Sequence, residues 1–192
     1  MRRALLFLIL FNLPLMSYGG DQSCVIGKEE KARVIRLEFW EFDQSQTDGW
    51  RPFYEAGCYQ IAADLLIEYV NMNPALANKH VILNMHAGQM LASTGNYEKA
   101  KNYFSMSYSP MKDKAWINWN AFVDATIAFI NSDMPGLKSA KEKIELQETI
   151  TKEAYPNFPE YWWGKKMNLD VVNGFIACFD KPYVEAYENC RG

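Results

Sequence analysis

Gly95-Asn96-Tyr97-Glu98-Lys99-Ala100-Lys101-Asn102-Tyr103-Phe104, closed by Pro110, places small and large apolar residues where two packed antiparallel helices need them. Gly95 suits the turn between the helices, since a left-handed backbone costs glycine least. Tyr97 covers the turn, Ala100 lets the helices approach, and Phe104 fills the groove. Pro110 stops the second helix. Gly57-Cys58-Tyr59-Gln60-Ile61-Ala62, then Leu66 and Pro74, lays down the same order thirty-eight residues earlier. Leu137, Ala140 and Ile144 repeat its second half forty residues later. Three copies of one pattern predict three helical hairpins.

This pattern resembles the second helix of a tetratricopeptide (TPR) repeat, over roughly Trp50 to Gln147 and most clearly in the first two copies. Both spacings exceed the 34 residues of a standard repeat. Loop insertions near Ala75–Lys79 and Met111–Lys114 account for the excess. The resemblance implies an all-α domain, a short right-handed stack of about three TPR-like hairpins with an N-terminal helix and a C-terminal helical cap. The repeats fall at about 43–76, 81–112 and 115–148, and the cap at 155–192, within one domain of residues 20–192. A cap is needed because a solenoid must cover its last apolar face. A second likeness is carried by His86-Ala87-Gly88-Gln89 and by Trp119-Asn120-Ala121-Phe122-Val123-Asp124-Ala125-Thr126-Ile127-Ala128-Phe129. These stretches are similar to a group of uncharacterised exported proteobacterial proteins, which implies a periplasmic location and no mechanism.

Helical spacing and breakers give the element bounds. Ala32, Ile35, Phe39 and Phe42 predict one helix from Lys28 to about Gln44. Further helices are expected over Tyr59–Asn71, Asn78–Ser93, Tyr97–Tyr108, Lys114–Asn131, Pro135–Gln147, Asn168–Phe179 and Pro182–Asn189. Asp133-Met134-Pro135-Gly136 serves as the third inter-helix turn.

Residues 1–19 read as a cleaved secretion signal, with basic Arg2 and Arg3, an apolar run from Ala4 to Met16, and small residues at Ser17 and Gly19. The apolar run is short against the roughly 20 residues that span a bilayer, so no stable membrane insertion is expected after cleavage. A periplasmic or secreted protein follows. The net charge is −3, and Lys and Arg are scattered among acids. No nucleic-acid partner is expected from such a surface. Cys24, Cys58, Cys178 and Cys190 permit three disulfide connectivities in an oxidising compartment. Their grouping near the two ends favours Cys24 with Cys58 and Cys178 with Cys190. The second pairing requires a short or bent final helix.

The chemistry-bearing motifs are few. His80 and His86 stand six apart, which does not put two ring nitrogens on one helical face, so no metal site is expected. No phosphate loop, nucleophile elbow or zinc-protease helix is present. Glu38 and Glu41 read as a solvated face. The expectation is a non-catalytic protein that needs no cofactor and binds a protein or peptide partner. In the TPR register the concave groove is lined by Ile82, Met85, His86, Gln89, Phe122, Ala125 and Phe129. A helix or extended peptide could dock there, or Phe158 to Trp163 could fold back and fill it. Asn84 and Asp124 occupy inward positions that are usually apolar, and with Asn120 and Thr126 they form a polar set. A mutually bonded interior network is one reading of this set, and a ligand site is the other. A small-molecule-binding protein or hydrolase using His86, Gln89, Asn120 and Asp124 is the alternative function. The aromatic run Tyr155-Pro156-Asn157-Phe158-Pro159-Glu160-Tyr161-Trp162-Trp163 is expected to cover the core, against Trp116 and Trp119.

Overall fold

The computed structural model describes residues 24–111 and 113–191. The expected signal segment at 1–19 lies outside the described residues. Among the described residues the structure is all-α, a stack of helical hairpins with two isolated antiparallel bridges and no strand.

The first hairpin pairs α2 (Arg51–Glu55) with α3 (Tyr59–Met72), and the second pairs α5 (Ile82–Ser93) with α6 (Tyr97–Met106). The third pairs α7 (Trp119–Ile130) with α8 (Met134–Glu145), and α9 (Leu169–Ala177) with α10 (Tyr183–Glu188) completes the set. Gly57 and Gly95 take φ of +74° and +80°, as their place in the inter-helix turns predicts. Ala62, Ala100 and Ala140 are buried at the expected close contacts. Asn96, Asn118 and Asp133 cap α6, α7 and α8 by accepting from the backbone N–H three residues on.

Several bounds differ from the sequence expectation, each for a local reason. The single helix over Lys28–Gln44 is two pieces, α1 (Lys28–Val34) and a π-helical turn (Trp40–Gln44). Val34, Phe39 and Phe42 are buried there, while Ala32 and Ile35 are only half-buried, so the apolar stripe does not follow one straight helix. The stretch 75–79 is not a loop but belongs to α4 (Pro74–Lys79), started by Pro74 and sealed by buried Ala77. As a result α5 begins at Ile82 and not at Asn78. Helix α7 begins at Trp119 and not at Lys114, because Asn118 caps it and Lys114 pairs with Ile117 in a turn. The third inter-helix turn uses Asn131 to Asp133, with Ser132 at φ +55°, and Met134 already opens α8.

Both disulfides join the expected partners. Cys24 and Cys58 have Cα atoms 5.4 Å apart, and Cys178 and Cys190 have theirs 6.2 Å apart. The six-residue α10 is short enough to bring Cys190 back to the end of α9. Gly174 makes the return possible, since a Cβ there would lie 2.8 Å from the carbonyl oxygen of Ala186. One contiguous core runs from Val34 in α1 to Ala186 in α10.

Candidate functional site

The helix-A segments α5 and α7 carry most of the residues expected to bind. Met85, Gln89, Phe122, Ala125 and Phe129 are buried, with Phe122 and Phe129 only 4% and 5% exposed. The C-terminal pair α9–α10 covers Phe129 and Gln89. Phe129 stacks on Phe175 with ring centroids 4.6 Å apart and meets Tyr183 edge-on at 6.1 Å. Gln89 Nε2 donates to the Tyr187 hydroxyl at 3.3 Å, and the Tyr183 N–H donates to Tyr97 Oη at 3.1 Å. The Tyr54 hydroxyl donates to the Glu188 carboxylate and holds α10 against α2. The expected groove is thus filled from within the chain. Phe158–Trp163 does not fill it, because Phe175, Tyr183 and Tyr187 already supply the aromatic surface.

Ile82 and His86 lie on the rim and are half-buried. His86 belongs to a cluster whose centre is Asp43, a residue the sequence reading passed over. The Asp43 carboxylate is 0% exposed, and its Oδ1 lies 2.7 Å from His86 Nδ1 and accepts from Trp50 Nε1 at 3.2 Å. Gln44 donates to the other oxygen, and Arg51 Nε donates to the Asp43 carbonyl at 2.7 Å. Burial alone would push this carboxyl up. The neighbouring His86, Arg51 and Trp50 more than offset it and hold the group below the usual carboxylate range. Arg51 also lies over the Trp50 ring, 4.7 Å from its centroid, and Trp50 leans on His86 at 5.0 Å. The cluster fastens the π-helical turn to α2 and α5. Chemically, it fixes one imidazole nitrogen and leaves Nε2 without a protein partner among the described residues. The signal for Asp43 in the sequence is slight: an acid between Phe42 and Trp50, just ahead of the first hairpin.

The polar set does not converge. Asn84 Nδ2 donates to the Met106 carbonyl at 3.2 Å, at the end of α6. Asn120 exchanges two bonds with the Ser109 backbone, at 2.8 and 3.0 Å. Asp124 accepts from the Tyr108 hydroxyl at 2.7 Å and pairs with Lys143 at 3.3 Å. Burial first and then this carboxylate push the Tyr108 hydroxyl up to about 12. Thr126 donates to the Phe122 carbonyl within its own helix at 2.9 Å. Asn84 therefore ties α5 to the end of α6 in its own hairpin, Asn120 and Asp124 tie α7 to the chain that leaves α6, and none bonds to His86. Neither a shared interior network nor a shared site with His86 is formed.

The aromatic run 155–163 is the largest departure. None of its residues is buried, and Tyr161 is 62% exposed. Ile150 explains why: it is fully buried, its N–H donates to the Lys165 carbonyl, and Gly164 N–H donates back to its own carbonyl, both at 2.8 Å. The loop is pinched off at that bridge and lies outside the core. Its rings pack on one another and on Trp116. Phe158 meets Trp116 edge-on at 4.9 Å and Tyr155 at 5.8 Å, and Tyr161 lies 5.0 Å from Trp162. Lys114 sits over Trp116 and Lys152 over Trp163. Trp119 is not part of this cluster; its Nε1 donates to the Ser107 carbonyl at 2.7 Å.

Among the described residues no group of three or more His, Cys, Asp or Glu is arranged to hold a metal ion, and no helix is long and apolar enough to cross a membrane. The fold and site define a disulfide-pinned, all-α stack of helical hairpins with an internally filled groove and an external aromatic loop. No family model, curated protein or solved structure matches the chain.

Proposed function

We propose that this chain is an exported, non-catalytic interaction module of TPR type that binds a protein or peptide partner through the aromatic loop 155–163 and Trp116. One observation carries the reading: none of the loop's rings is buried in the core and Tyr161 is exposed, while Phe129 of the groove expected to bind is covered by Phe175 and Tyr183. Exposed Trp and Tyr supply contact area at small cost in side-chain entropy and dominate binding hot spots. Lys114 and Lys152 over two of the rings favour a partner segment with both acidic and apolar side chains. Two disulfides suit an oxidising compartment and so support export. The tetratricopeptide relationship draws its support from the three hairpins, from the buried alanine they share and from the turn glycines of the first two.

The alternative, a hydrolase on His86, Gln89, Asn120 and Asp124, loses its motivation because these side chains are engaged in separate places. Selection of displayed peptides on the disulfide-bonded protein tests the proposal. Peptides selected on the wild type should bind at least tenfold more weakly to a Trp116→Ala, Tyr161→Ala, Trp162→Ala variant that keeps its helical circular dichroism. Equal affinity for that variant would remove the loop as the binding surface.

A further inference from the structure

Asn84 sits where a TPR-like helix would place a packing residue, and it is only 4% exposed. A buried carboxamide without full pairing is costly, so its retention in a core position asks for a partner. The side chain is oriented by the Met106 carbonyl, which can accept only from the amide nitrogen. Oδ1 therefore points the other way. Among the described residues no donor reaches it. It is also not sealed, since the enclosed polar atoms lacking partners are Trp163 Nε1 and Tyr183 Oη. Asn84 lines a pocket of about 370 Å³ between the end of α3, α4, α5 and α6.

The rest of the lining is chemically consistent. Asn71 and Asn78 stand exposed on the rim, and their carboxamides make no hydrogen bond to the described protein. Tyr103 forms one wall, with its hydroxyl raised by burial and so held as a neutral donor. Pro74 and Met106 add apolar surface. No charged side chain lines the pocket, which disfavours phosphates, carboxylates and cations alike. Three carboxamides and a phenol, each offering both a donor and an acceptor, match a ring of alternating hydroxyls, and Tyr103, Pro74 and Met106 match its C–H face. The volume lies at the lower end of small-molecule sites.

We infer that this pocket binds a neutral monosaccharide unit, with Asn84 Oδ1 accepting from a hydroxyl or acetamido N–H at its floor. The inference does not depend on the proposed partner surface, because the pocket shares no residue with the aromatic loop.

Saturation-transfer NMR and calorimetry on the disulfide-bonded protein, with methyl glucoside and methyl N-acetylglucosaminide as probes and N-acetylalanine methylamide as the peptide control, test it. At least one glycoside should bind saturably. Binding should weaken about tenfold on Asn84→Ala, the cost of one lost hydrogen bond in a desolvated site. Because Asn84→Ala also loses the Met106 contact, two rim variants accompany it: Asn78→Ala, which removes an exposed carboxamide, and Met106→Trp, which fills the pocket. Both should keep the wild-type melting temperature and lose glycoside binding. Failure of both glycosides to bind the wild type would overturn the inference, as would unchanged affinity in both rim variants. Binding of the blocked alanine alone would overturn it too, and would assign the pocket to peptide amides.

Discussion

Asp43 and His86, forty-three residues apart in the chain, meet at 2.7 Å through Oδ1 and Nδ1, and the carboxylate between them is wholly buried. This pair joins the segment ahead of the first hairpin to the first helix of the second, alongside the apolar contacts of Val34, Phe39 and Phe42 with the core.

Removing that charge should be expensive. Asp43→Asn keeps the shape and strips the carboxylate from His86, Trp50 and Gln44. Hydrogen bonds to a charged group contribute about 1.5 to 3 kcal/mol, and chemical denaturation at pH 7 should show a loss of that order. The pH dependence carries the sign. Because the folded carboxyl is held low, the unfolded chain takes up its proton first, near the usual value of about 3.9. The stabilisation is complete above that value and is lost as the pH falls through the lower folded one. The gap between wild type and Asp43→Asn should therefore be widest near neutrality and narrow as the pH drops below about 4. A gap that stays constant into acid would show that the carboxylate's charge is not what matters.

Phe129 distinguishes a filled groove from an open one. It is buried against Phe175 and Tyr183, so Phe129→Ala should destabilise by about 3 to 5 kcal/mol, as loss of a core aromatic does. An open groove would give a cost near zero. Urea midpoints for the two proteins decide between these outcomes.

The two disulfides pin the two ends. Cys24–Cys58 closes a loop of 34 residues and Cys178–Cys190 one of 12. Chain-entropy arguments assign each about 3 to 4 kcal/mol. Thiol titration of the unfolded, unreduced protein should find all four cysteines oxidised. After reduction, amide hydrogen exchange should quicken first in α1 and α10, while α5 to α8 hold their protection. Uniform loosening across all helices would contradict this order.

Local chemistry made much of the fold readable. Gly57 and Gly95 declare their turns because a left-handed backbone selects glycine, and Ala62, Ala100 and Ala140 declare close approaches because nothing larger fits. Both disulfide pairs followed from position along the chain. The less readable parts depend on long-range partners. Asp43 looks like any surface acid until Trp50 and His86 surround it. The choice of groove filler was equally hidden, since Phe158–Trp163 and the Phe175, Tyr183 and Tyr187 set are both aromatic. The bridge from Ile150 to Lys165, which sequence does not announce, turns the first set outward. Asn84 and Asp124 stood out as polar residues in apolar positions, yet their partners, the Met106 carbonyl and the Tyr108 hydroxyl, lie at the end of α6 and just beyond it.

Oxidative footprinting of aromatic side chains tests most directly the claim that the groove is closed from within and the aromatic loop faces out. Brief hydroxyl-radical exposure of the intact protein, read by peptide mass spectrometry, compares both sets in one sample. Tyr161 and Trp162 should be modified fast, and Phe122, Phe129, Phe175 and Tyr183 should be protected, in line with their burial. Rapid labelling of Phe122 and Phe129 together with protection of Tyr161 and Trp162 would contradict the account, because the loop would then be the buried surface and the groove the open one.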